Sequence, residues 1–115
     1  MKRGEIHWAE FETRSGSEQR GIRPALVLSS DALNGIPGWR SILVVPFSTS
    51  GAQARRGPTA VAIAARASGL KADSVALCHQ LTTLDRSKFK GYVGMIAPAT
   101  LQTVEDGIRA ALDMD

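Results

Sequence analysis

Two polar stretches, each abutting an apolar run, hold most of the side chains able to act on a phosphate. The first, residues 16–30, reads GSEQRGIRPALVLSS and carries Glu18, Arg20 and Arg23. Gly16 and Gly21 bracket a turn, glycine being the residue that accepts φ > 0 without strain. Pro24 fixes its own φ and drives Arg23 into an extended backbone. A guanidinium held at the mouth of a stiff strand, with the Glu18 carboxylate in reach, suits a phosphate gripped through paired N–H donors. An ordinary hairpin turn with one solvated ion pair accounts for the same spacing. The second stretch follows the run ILVVPF and holds Ser48, Thr49, Ser50, Gln53, Arg55 and Arg56. In a small barrel, neighbouring strand ends would bring the two loops together into a cationic groove with hydroxyl and amide groups, suited to single-stranded nucleic acid.

Other chemistries lack their residues. There is no GxxxxGK[ST], GxGxxG, CxxC, HExxH or GxSxG pattern. Two histidines, one cysteine and scattered acids make no metal-ligand cluster, and nothing implies a cofactor. His7 and His79 are candidates for an acid–base pair near neutral pH. For His7 a strand histidine with a satisfied hydrogen bond is the stronger reading; His79, beside Gln80, stands about even as a groove residue. Cys78 has no partner for a disulfide and lies in an apolar run, which reads as a small core residue in a reducing compartment.

The chain of 115 residues has the length of one domain and can bury a core without staples. No apolar run approaches a membrane span, and MKRGEIHW lacks a signal-peptide core, so a cytoplasmic protein is expected. Net charge is +3, unevenly spread: residues 98–115 set Arg109 against Glu105, Asp106, Asp113 and Asp115, leaving the body strongly cationic. Ten of the fourteen basic residues are arginine, which favours a polyanionic partner, although a solvated basic surface explains the charge equally well.

Positioning falls to several short strands. Residues 4–11, 24–29, 40–47, 59–64, 74–82 and 91–96 read as strands, the fifth bent near His79–Gln80. Pro46 suggests an edge or a bulge. Ser30 or Asp31 can cap one helical turn, and Asp85 another over residues 86–89. Residues 12–22 read as a loop and 65–73 as a plain connection. Residues 98–113 are the one long helix, with Pro98 in its first turn and Leu101, Val104, Ile108, Ala111 and Leu112 on one stripe; Gly107 reads as a slight weakness in its middle. The pattern predicts a mainly β domain, a partly open barrel with a C-terminal α-helix.

Over nearly its whole length the chain resembles the MazF/PemK family of toxins from type II toxin–antitoxin systems. The resemblance is carried by KRGEIHWAEF, GSEQRGIRPALVLSS, ILVVPFSTS, DSVALCHQLTTLDRSKF and GYVGMIAPATLQTVEDGI, in that order. It implies an SH3-like barrel, a homodimer, and a metal-independent endoribonuclease that cuts single-stranded RNA, mRNA included, at short sequences. A cognate antitoxin would block it by laying an acidic tail in the groove. Residue by residue, Arg23 matches the family's catalytic arginine in the GxRP turn. Ser48 falls where the family has a catalytic threonine or serine, with Thr49 able to share the role. Glu18 matches the acid of the GSEQ loop, and Gln80 a glutamine that is structural or lines the groove. Arg20, Gln53, Arg55, Arg56 and His79 are the further candidates for RNA contacts.

The chemistry is consistent with those residues. RNA carries its own nucleophile, the 2′-hydroxyl, so the protein must align the phosphate, accept a proton and neutralise the developing charge. Arg23 suits the last task and is a poor base; Ser48 can donate to a phosphate oxygen. Glu18 can take the 2′ proton or hold Arg23 in place. A rival reading from the same barrel family is a CcdB-like toxin that poisons gyrase by protein contact without cutting RNA.

Overall fold

The computed structural model describes residues 1–12, 21–49 and 57–115. Its strands are β1 (Glu5–Phe11), β2 (Gly21–Val27), β3 (Ser41–Ser48), β4 (Ala60–Ile63), β5 (Ser74–Leu77), β6 (Thr82–Asp85) and β7 (Phe89–Met95). Helices are α1 (Asp31–Asn34), α2 (Ala65–Ser68) and α3 (Pro98–Leu112), with 3₁₀ turns at Cys78–Gln80 and Arg86–Lys88. The sheet runs β4-β5-β3-β2-β1-β7, β6 also pairs with β3, and every pairing is antiparallel. Among the described residues β4 and β7 end this path without pairing to each other, so the expected SH3-like barrel is an open one.

The middle of the sheet is buried on both faces, which is why β2 reads as an unbroken apolar run. Leu26 joins Ile6, Val45 and Phe47 in one core, while Ala25 and Val27 join Ala9, Ile42 and Val44 in the other. Helix α3 covers the first core with Val104, flanked by Leu101 and Ile108. Ala111 is half-buried and Leu112 exposed, so the apolar stripe frays at its end. Gly107 is a fitted position rather than a weak one. A Cβ there would lie 2.8 Å from both Cys78 Sγ and Val61 Cγ2, so the missing side chain is what lets the helix seat on β4 and the 3₁₀ turn. Cys78 is buried at that contact, as a core residue, and burial pushes its thiol up to about 11.

The fifth strand, expected over residues 74–82, is two strands. Along β3 the pairs step from Val44↔Thr82 to Phe47↔Ala76, three residues on β3 against six on its neighbour. The three extra residues are wound into the turn Cys78–Gln80. On its other edge β3 pairs with β2 as far as Pro46, while Phe47 and Ser48 keep their pairing with β5 on the first edge. β3 is thus an inner strand rather than the edge that Pro46 suggested, and Pro46 stands at the last pair of its ladder with β2.

Both expected caps form: Ser30 Oγ accepts from Leu33 N and Asp85 accepts from Ser87 N. The connection 65–73 is not plain. It contains α2, ended by Gly69 at φ 80°, a left-handed conformation suited to glycine. The end of α2 rests on β7 through Gly94, where a Cβ would meet Ser68 O at 3.0 Å. That close approach hangs residues 69–72 over one end of the sheet.

Candidate active site

A cleft of about 550 Å³ opens where β1, β2 and the loop after α2 meet. It is lined by Trp8, Ile22, Arg23 and Pro24 with Thr49, and by Gly69, Leu70 and Lys71 of the loop after α2. Arg23 belongs to a strand that begins at Gly21, earlier than the sequence pattern suggests, because β1 extends far enough to pair with it. Ala9 lies opposite Arg23, and Trp8 opposite Pro24. Arg23 is exposed and extended, as Pro24 requires.

Ser48 closes β3. It is buried at 7% exposure and does not line the cleft, whereas Thr49, the next residue, does. Ser48 and Arg23 are nonetheless near in register. The last β2–β3 pair is Ala25↔Pro46, and two residues further along each strand stand Arg23 and Ser48. Both residues lie just past the end of that ladder, and Ser48 is paired with Val75 of β5 on the other edge of β3.

The cleft is cationic. Arg23 and Lys71 line it, and no carboxylate does among the described residues. Neither histidine lines it. His7 is held by Glu5, with Nε2 2.9 Å from Oε1, and meets Phe89 and Tyr92 edge-on. Burial alone would push the Glu5 carboxyl up, but its hydrogen bonds with the His7 side chain and Lys2 N outweigh this and leave it below its usual value. His79 stands on the turn Cys78–Gln80, its Nδ1 3.5 Å from Thr59 Oγ1, with Gln80 Nε2 3.5 Å from its Nε2. That turn packs against α3, so His79 and Gln80 are not brought to this cleft. The described residues therefore do not assemble the histidine pair. Glu18, Arg20, Gln53, Arg55 and Arg56 lie outside the described residues.

Sequence reasoning missed Trp8 and Lys71. Trp8 counted only as apolar weight in an imperfectly alternating strand; that imperfection was its one signal, since Trp8 is 42% exposed. Lys71 was an isolated charge in a connection, and nothing local marks it. Among the described residues, no group of three or more His, Cys, Asp or Glu side chains could hold a metal ion.

The fold and cleft define a small antiparallel β-protein that offers guanidinium and hydroxyl groups at strand ends and a loop ammonium in a cleft also lined by apolar side chains. Residues 2–112 match the family model described as PemK-like, MazF-like toxin of type II toxin-antitoxin system. The chain is 30% identical over 112 residues to the endoribonuclease EndoA of Bacillus subtilis, covering 97% of this chain and 94% of that one. Its structure resembles MazF from Deinococcus radiodurans, with a TM-score of 0.80, 28% identity, and coverage of 99% of this chain and 97% of that one. It also resembles a MazE–MazF structure from the same organism, with a TM-score of 0.74, 28% identity, and coverage of 100% and 97%. The chain belongs to the PemK/MazF toxin family of type II toxin–antitoxin systems.

Proposed function

We propose that this chain is an endoribonuclease toxin that cuts single-stranded RNA at short sequences without a metal ion, acting in the cytoplasm as a homodimer under the control of a cognate antitoxin. The observation that carries the reading is Arg23: an exposed guanidinium on an extended, proline-stiffened strand end, in a cationic cleft that no described carboxylate lines. A curated relative named for endoribonuclease activity supports cutting over gyrase poisoning by contact. The Deinococcus relative solved with MazE supports the antitoxin. No described helix is long and apolar enough to cross a membrane.

In the proposed reaction the ribose 2′-oxygen attacks the adjacent phosphorus and the P–O5′ bond breaks. The products are a 2′,3′-cyclic phosphate and a free 5′-hydroxyl. Arg23 neutralises the charge gathering on the phosphate oxygens, and the Ser48 and Thr49 hydroxyls donate to them. Glu18 accepts the 2′ proton or orients Arg23, and a proton is delivered to O5′. Placing the reacting atoms in line supplies much of the remaining acceleration. Arg20, Gln53, Arg55 and Arg56 hold neighbouring phosphates and bases, with His79 and Gln80 further along the RNA.

The test is incubation of the purified protein with a mixed RNA pool in EDTA, with the fragment ends sequenced. Cutting at a short shared sequence is expected, leaving cyclic phosphate ends, and it should vanish when the sugar 5′ to the cut is deoxyribose. Dependence on added metal, or equal cutting of the deoxy strand, overturns the mechanism.

A further inference from the structure

Trp8 is a large apolar side chain left open in a place where the fold had the means to cover it. Its two strand partners are Pro24 on β2 and Gly91 on β7. Directly paired residues share a face of the sheet, so the indole lies between a flat ring and a residue with no side chain. A Cβ built on Gly91 meets nothing within 4 Å, which leaves open space beside the indole. The other tryptophan, Trp39, donates its indole N–H to Ser41 O at 2.6 Å, whereas the Trp8 indole makes no hydrogen bond among the described residues.

Lys71, which lines the same cleft, is held on a braced loop. Ser68 Oγ accepts from Leu70 N at 3.1 Å, Asp73 Oδ1 accepts from Ala65 N at 2.8 Å, and Gly69 supplies the left-handed turn between them. Lys71 forms no ion pair among the described residues, unlike Lys88 and Lys90, which pair with Glu12 and Glu10. A partly exposed indole and an ammonium with no ion pair among the described residues thus line one cleft, which Arg23 also lines.

We infer that this cleft is a nucleotide subsite: an unpaired base stacks on Trp8 while Lys71 contacts the phosphate beside it. Stacking on an indole accepts any base, because every base has a π-face, and an ammonium adds a salt-sensitive contact without reading sequence. The subsite holds RNA next to the scissile phosphate rather than cutting it, so Trp8 and Lys71 are positioning residues. The inference rests on the RNA reading above, and its test can fail separately from that reading.

The probes are two fluorescein-labelled twelve-nucleotide strands that cannot be cut: a random-sequence 2′-O-methyl RNA and an abasic sugar-phosphate strand of equal length. The native protein should prefer the base-bearing strand. Trp8→Ala should weaken that strand about 5- to 100-fold and leave the abasic strand within twofold, removing most of the preference; Trp8→Phe should restore it. Lys71→Gln should weaken both strands and flatten the salt dependence by about 0.7 in log–log slope, the value of one single-strand phosphate contact. Thermal melting checks that each variant is folded. If the preference survives in folded Trp8→Ala, or Lys71→Gln leaves the salt slope unchanged, the subsite is wrong even where the native protein still cuts RNA. If the native protein neither cuts the RNA pool nor binds either strand, the RNA reading itself falls, and the subsite with it.

Discussion

Arg23 and Ser48 stand in step, each two residues beyond the last hydrogen-bonded pair that joins their strands, Ala25↔Pro46. The ladder between the two strands stops just there, so a guanidinium and a hydroxyl stand beyond its end, while Ser48 remains paired with Val75 of β5 on its other edge. Thr49 follows at the rim of the neighbouring cleft.

If Arg23 and Ser48 act on one phosphate, their losses overlap rather than add. Arg23→Ala and Ser48→Ala should each lower kcat by about a hundredfold or more. The double variant should be little worse than the poorer single one. Thr49→Ala should change kcat less than about tenfold and act more through KM. Single-turnover cleavage of one RNA by all four variants decides this, with melting curves to confirm the fold because Ser48 is buried. Additive losses, or a larger kcat loss at Thr49, would reassign the hydroxyl.

Gly107→Ala opposes two effects. Alanine in a helix interior gains about 1 kcal/mol over glycine. Here its methyl would press on Cys78 Sγ and Val61 Cγ2, both at 2.8 Å, and overpacking a filled core costs about 1–3 kcal/mol. The clash should win. Denaturant unfolding should show a net loss of stability, and a gain would mean that the helix can move away from Cys78 and Val61 at little cost.

Asp85 carries an acid-side signature. Its hydrogen bond with Arg40, followed by those from Ser87, holds its carboxyl well below the usual carboxylate range. A group whose pKa is lowered by folding stabilises the protein above its unfolded value, near 3.9, and that help is lost as pH falls through the folded value. The advantage of the native protein over Asp85→Asn should therefore be constant between pH 7 and 5 and shrink as the pH is lowered below about 4. Melting temperatures of both proteins across that range test it. Since Asp85 and Arg40 are exposed, the effect should be small and weaken with salt.

The sequence by itself settled what depends on neighbouring residues. Pro24 dictates the extended Arg23, the pair Ser30–Asp31 announces one cap and Asp85 another, Pro98 opens α3, and unbroken apolar runs mark the doubly buried strands. The ordered segments from KRGEIHWAEF to GYVGMIAPATLQTVEDGI were enough to point to the family. Only the tertiary structure decided matters that depend on which surfaces meet. It broke the strand expected over residues 74–82 at the turn Cys78–Gln80, where the register along β3 steps by three residues. It turned Gly107 from a weak helix position into a contact with Cys78. It brought Trp8 and Lys71, residues more than sixty positions apart in the chain, to one cleft, with Gly94 leaving room for the end of α2 against β7. Backbone preference acts over a few residues and can be read locally, whereas a cleft is made by close approaches between distant segments, which no local pattern encodes.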